Sequence, residues 1–577
     1  MIKKINFLLI VVFCFILNIN VFAKTVTVSG TDIYENGTEG GASFNKDTNT
    51  LELNNYSGSS IIFDGFSSEK ININVKGTNY ISSESITTNS VGLGKTYNAN
   101  DTLTVNINGE DNSKLYISNF ANGIYFNLGS MEIHDTYIDF NNVSNCITNG
   151  TFIASHLELS SKTTNQVFNV LNLNMNDSKV KAEDSKGVFT SLDDIDLFNV
   201  EIEVQELSEN LFKGVNVTLE DVTITGSDIR DIFYLHGESE FNNLTVDVYN
   251  FDHFVYCTGI LNISDSDITL RGGSYLGDSI IETSYPISFK NTDMNIKNIE
   301  GFINTAGVDI EFIGCNITIK YNADTNLFID VINLDIINST FDVEEEIECA
   351  FSASNINIEN STIECFLVYY VFVTENLTIK HSNIHTETCD VFATNDGTAY
   401  IDTVLITDGS IINIEAAMGQ GAVTASNFII KDSKFKAHNN LTILQLNNKL
   451  EADNSELYLA STSGAPIIIS SSTDKELDEV VKLTNCHNKD PELYSLNKSR
   501  LENAIGDSYY YSYFTEDPEA SYPFFEAMNS SISRLVNIVP DNPNTFDISV
   551  LYIIIGILSV VGISIAKFDL DLLKNNK

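Results

Sequence analysis

Taking a proton from an acid sugar calls for an Arg or Lys near carboxylates that hold Ca²⁺. Hydrolysing a sugar bond calls for two carboxyl groups on its opposite sides. Arginine is scarce here: Arg230, Arg271, Arg500 and Arg534 are the only ones. Arg230 and Arg271 fall 13 and 10 residues after the starts of their repeat units at Val217 and Leu261, so they are not expected to converge. His381 and His385 have a spacing that brings two side chains together only on a helix, and they sit in a strand-turn unit. The acidic stretches Asp193-Asp194, Glu344-Glu345-Glu346 and Glu387 offer the oxygens Ca²⁺ prefers, without repeated Gly/Asp loop spacing. Solvated surface charge is their default reading. The residues therefore predict no catalytic set and no cofactor, with Ca²⁺ the one ion for which ligands are on offer.

Bulk charge narrows the partners. With 78 acidic against 32 basic side chains the formal charge is −46, and a phosphate backbone needs Lys and Arg to displace its counterions, so nucleic acid is excluded. Cys146, Cys257, Cys315, Cys349, Cys365, Cys389 and Cys486 follow the N-terminal segment in odd number with no CxxC spacing. They are expected as free thiols in small buried positions rather than as disulfides or zinc ligands.

The element that must carry these residues is a repeat. An apolar-x-apolar strand is followed by Asn or Asp, then usually Ser or Thr, then a second apolar pair, as in LNMNDSKV from Leu173 and LNISDSDI from Leu261. Units begin at Met131, Phe152, Leu173, Ile195, Val217, Ser239, Leu261, Ile287, Ile310, Leu334, Ile356, Leu377, Val404, Phe428 and Leu450. The steps between them run from 21 to 27 residues. A second doublet recurs, including Val188-Phe189, Leu211-Phe212 and Ile232-Phe233. Short strands at this period, without a helical pattern, predict an all-β fold, a right-handed parallel β-helix. Each coil cannot bury its apolar edge alone, so like residues should stack on like, with a Phe ladder inside and an Asn/Asp column at a bend.

The stretch from Ala42 to Gly58, ASFNKDTNTLELNNYSG, resembles the start of right-handed β-helix surface proteins found in Firmicutes, some of them carbohydrate-binding. That resemblance implies a pectate-lyase-like solenoid and an adhesin-like role. Asn291-Thr292-Asp293 is similar to the opening of the polygalacturonase pattern. The downstream Asp pair and the Gly-His-Gly and Arg-Ile-Lys stretches are absent, and Asn291 and Thr292 fall at ordinary bend positions, so no catalytic residue is carried over.

The ends predict export and tethering. Lys3 and Lys4, an apolar run from Phe7 to Leu17 and a small-residue site near Ala23 read as a signal peptide over 1–23. Residues 24–130 are expected to form the N-terminal cap and first coils, 131–470 the regular coils, and 471–547 a C-terminal cap and spacer. Ile548 to Ala566 is 19 residues without a charge, close to the roughly 20 of a transmembrane helix, with a cytoplasmic tail over 567–577. Asn542-Pro543-Asn544-Thr545-Phe546 before it resembles the NPxT-type signals of class B sortases, with Phe546 departing from the usual Gly or Asn. That resemblance implies cell-wall attachment through Thr545, beside the simpler expectation of a membrane anchor. The expected function is non-enzymatic adhesion at the cell surface, through glycans or host matrix proteins; a polysaccharide lyase or glycoside hydrolase is the alternative.

Overall fold

The computed structural model describes residues 23–96, 102–273, 279–299, 301–305, 307–320, 329–394, 400–417, 421–439, 442–461, 465–471, 477–488, 499–501, 508–513, 515–516 and 534–541. The signal peptide, the NPNTF motif, the apolar span and the tail lie outside the described residues, apart from Ala23. Among the described residues no helix is long and apolar enough to cross a membrane. The fold is an all-β parallel solenoid of about 17 turns, divided into two compact units, Met1–Ala353 and Ser354–Lys577.

The first unit opens with antiparallel pairing. Thr25–Val28 runs against Ile61–Asp64, and Ala42–Asn45 forms a hairpin with Thr50–Asn54. Parallel stacking starts at Thr50–Asn54 on Lys70–Lys76 and continues through Thr104–Gly109 to Lys114–His134. From there the register follows the sequence anchors. Met131 pairs with Phe152, Phe152 with Leu173, Leu173 with Ile195, and the column continues through Val217, Ser239, Leu261, Ile287 and Ile310 to Leu334. The predicted aromatic ladder lies inside. Phe152, Phe168, Phe189, Phe212 and Phe233 stack at ring-centroid distances of 5.3, 5.2, 4.8 and 5.1 Å, all buried. Each such side chain contributes about 1.5–3 kcal/mol through burial.

The bend also follows the sequence, and its mechanism is specific. Asp177, Asn199, Asp221, Asn243, Asp265 and Asn291 all have φ between 46° and 56°, the left-handed region that Asn and Asp tolerate best. The next residue is often a buried Ser. The Ser178 hydroxyl donates to Asn176 O at 2.6 Å and accepts from Leu157 N, one coil earlier, at 3.0 Å. Ser266 makes the same two bonds, to Ser264 O and from Leu244 N. The hydroxyl thus satisfies a backbone N–H that the turn withdraws from the strand ladder. Cys315 occupies this position two units on, donating to Phe289 O.

In the second unit Leu377 pairs with Val404, Val404 with Phe428, Phe428 with Leu450, and Leu450 with Val481. Parallel pairing therefore runs on to Thr484, beyond the last sequence anchor, because a long excursion between Asn454 and Asn485 hides the repeat. The excursion includes one helical turn, Leu477–Val480. The last coil is covered by antiparallel strands: Ser508–Tyr513, from the tyrosine-rich segment, pairs with Ile467–Ser471, and Arg534–Pro540 pairs with Glu456–Ser461. This occupies strand edges that would otherwise remain open to association.

Candidate binding groove

Seven successive coils of the first unit have a second left-handed corner, which the sequence reading did not anticipate. Asn119, Asn142, Thr163, Asp184, Glu206, Asp228 and Asn250 hold φ between 51° and 64° on successive coils. Part of this column is stitched like the first: Asn142 Nδ2 donates to Asn119 Oδ1 at 2.8 Å, Thr163 Oγ1 to Asp184 Oδ2 at 3.0 Å, and Asn250 Nδ2 to Asp228 Oδ1. Its middle differs. At the first corner Asp and Asn alternate, whereas here Asp184, Glu206 and Asp228 follow one another without an intervening amide. Coils stack at about 4.8 Å, so three like charges are neighbours, which is destabilising.

A lateral groove of about 540 Å³ opens at that point. Five coils contribute to it: Asn142 and Ser144, then Thr163 to Asn165, then Asp184 to Lys186, then Glu206 to Ser208, then Asp228, with Ile86 at its side. Its floor is hydroxylic, with Thr164 Oγ1 and Ser185 Oγ at 2.8 Å and both side chains buried. Its rim is charged, and Asp184, Lys186, Glu206 and Asp228 are all exposed. The arrangement offers hydroxyl, amide and carboxylate groups at the coil repeat, suited to hydrogen-bonding a polyhydroxylated chain laid along it.

The residues singled out in the sequence are scattered. Arg230 Nε sits 3.7 Å from Asp231 Oδ2, while Arg271 pairs with Asp247, so the two arginines serve different carboxylates. Asn291 is a corner residue whose Nδ2 donates to Asp265 Oδ1 at 3.0 Å; Thr292 is buried and donates to Lys290 O, and Asp293 begins the next strand. Asp194 accepts from Asn216 Nδ2 at 2.8 Å, and Glu344 pairs with Lys320 at 2.7 Å; the side chains of Glu345 and Glu346 lie outside the described residues. His381 is an exposed corner residue with φ 46°, whereas His385 faces Glu387 and Glu415. The seven described cysteines are all buried and none is in a disulfide, in line with the expectation of buried thiols.

One further cluster is built from pairs. His253 Nδ1 lies 2.8 Å from Asp231 Oδ1 and its Nε2 lies 3.8 Å from Glu282 Oε1. The hydrogen bond to Asp231 raises the His253 pKa above the ordinary histidine value, against burial. Burial likewise raises the Asp252 carboxyl above its usual range, helped by the Asp231 charge. These groups hold one another.

The sequence reading missed Asp184, Lys186, Glu206 and Asp228. The signal of the three acids was present as a 22-residue step, visible only once the second corner is known. The fold and groove define a parallel β-solenoid with a lateral polar cleft in its first unit. No protein-family model, curated protein or solved structure matches this chain.

Proposed function

We propose that this is an exported, surface-tethered β-solenoid of the right-handed, pectate-lyase-like kind that contacts a glycan polymer through the lateral groove without cleaving it. One observation carries the reading: at the second corner Asp184, Glu206 and Asp228 follow one another without the amide-acid alternation that the first corner keeps, and the groove lies at these three coils. A local rule broken at a stability cost marks a site kept for contact. The coil repeat gives many near-identical weak contacts, which suits multivalent attachment to a repeating chain. The acidic rim disfavours uronate polymers and favours neutral or amino sugars. Export by the 1–23 segment, an anchor at Ile548 to Ala566 and sortase processing at Thr545 complete the proposal, with host matrix proteins as the other class of partner.

Full-length chain in detergent, applied to glycan and matrix-protein arrays, tests it. Glycan binding weakened at least tenfold by the combined Asp184→Asn, Glu206→Gln and Asp228→Asn substitutions supports the groove. Binding to matrix proteins alone, or glycan binding indifferent to those substitutions, overturns it.

A polysaccharide-cleaving enzyme is the second reading, favoured by the presence of carboxylates and Lys186 in one groove. A catalytic acid at neutral pH needs its pKa raised by an apolar surrounding, and these carboxylates are exposed. Incubation with uronate-rich and neutral polymers, with and without Ca²⁺, is expected to yield no new reducing ends and no unsaturated products.

A further inference from the structure

In the second unit a histidine and two glutamates meet across adjacent coils. His385, in Asn383–Thr386, is matched in register with Asn413 of Ile411–Ala417. Glu387 and Glu415 each follow two residues later, so both return to the same outward side. Glu387 Oε1 is 3.9 Å and Glu415 Oε1 3.8 Å from His385 Nε2, and ligand atoms from all three lie within 4.8 Å of one another. We infer that His385, Glu387 and Glu415 form a site for a divalent first-row transition-metal ion, with Zn²⁺ the best match.

The donor set argues for the ion class. Ca²⁺ takes six to eight oxygens, whereas an imidazole with two carboxylates suits Zn²⁺ and its neighbours. Ligands held at 2.0–2.2 Å in a tetrahedron lie about 3.3 Å apart, so closure asks each His-Glu pair to shorten by about 0.5 Å, within the reach of glutamate rotamers. Three protein ligands leave a fourth position for water or a group from a bound partner.

Asn413 supplies an independent argument. Its amide lies 3.0 Å from His385 Nδ1 through Nδ2, while its Oδ1 is buried with no hydrogen-bond partner. The two ends of an amide exchange by a simple flip. Turned over, Oδ1 accepts the Nδ1–H proton, which leaves the Nε2 lone pair facing the carboxylates, the tautomer that binds a metal. The register that sets Asn413 beside His385 also brings Glu415 beside Glu387, so one stacking step builds both the ligands and their support.

Charge balance points the same way. Among the described residues no Lys or Arg forms an ion pair with Glu387 or Glu415. The nearest lysine in register, Lys436 opposite Asn413, is 3.7 Å from Glu456 instead. A bound cation would offset the repulsion between carboxylates on neighbouring coils.

The test uses the full-length chain in detergent, stripped with EDTA and titrated with ZnCl₂ against a chromophoric chelator, with circular dichroism as the check on folding. One tight site is expected. His385→Ala and the double substitution Glu387→Gln/Glu415→Gln should each weaken it by at least tenfold, and Asn413→Ala by about tenfold as a supporting residue. His253→Ala, a histidine change elsewhere, should leave it intact. A chain that binds no Zn²⁺, or binds it equally in folded His385→Ala, overturns the site. Displacement of Zn²⁺ by Ca²⁺ at equal concentration overturns the assignment of the ion.

Discussion

Asn199 donates its side-chain amide proton to Asp177 Oδ1 at 2.7 Å, across one full coil. Asn243 does the same to Asp221 and Asn291 to Asp265, so amide and acid alternate down the first corner. Alternation lets each carboxylate accept from a neutral donor and keeps like charges two coils apart.

Replacing Asn199 by Asp would set three carboxylates in succession, at positions 177, 199 and 221, and remove a donor. The expected loss is about 1–2 kcal/mol of stability, smaller at high salt, where exposed charges are screened. Thermal melts of the variant at low and high ionic strength measure it. Equal losses at both would sink the electrostatic part of the argument.

Thr163 is the β-branched member of the second corner, held at φ 55°. Thr163→Asn places a residue that tolerates this backbone and can still donate to Asp184, as Asn250 does to Asp228. Chemical denaturation should show a gain of about 1 kcal/mol. Destabilisation would mean that the threonine hydroxyl contributes more than the backbone strain costs.

His253 gives stability a pH dependence. Its folded pKa is raised by the hydrogen bond to Asp231, with the Asp231 and Glu282 charges adding to the shift. The pair's contribution is therefore fully present below the unfolded histidine value of about 6.5 and is lost as pH rises through the higher folded value. His253→Gln should flatten that part of the stability profile. An unchanged slope in denaturation midpoints across neutral pH would contradict it.

Burial pushes the Cys349 and Cys389 thiols up to about 12, so neither forms thiolate near neutral pH. Peptides carrying them should stay unmodified when the native chain meets an alkylating reagent and become labelled in denaturant. Mass spectrometry reads both states, and rapid native labelling would show that these coils open.

Much of the fold was legible in the residues. The anchors from Met131 to Leu334 lie opposite one another because a coil of nearly constant length returns the chain to the same edge, and an apolar position has nowhere to bury except on its equivalent. The Asn/Asp corner and the Phe ladder follow from the same step. The role of the following serine did not: its bond to an N–H one coil earlier is invisible along the chain. The groove was hidden because Asp184, Glu206 and Asp228 become neighbours only through a second corner, where a serine follows Asp184 but not Glu206 or Asp228. Glu415 was hidden more deeply, since the step from Glu387 is 28 residues, outside the regular period. The sequence by itself determined that this protein stacks and what fills its inside, because burial repeats with the coil. Only the tertiary structure decided which polar groups meet on the outside, because there the partners come from different coils and the spacing is set by loops that vary in length.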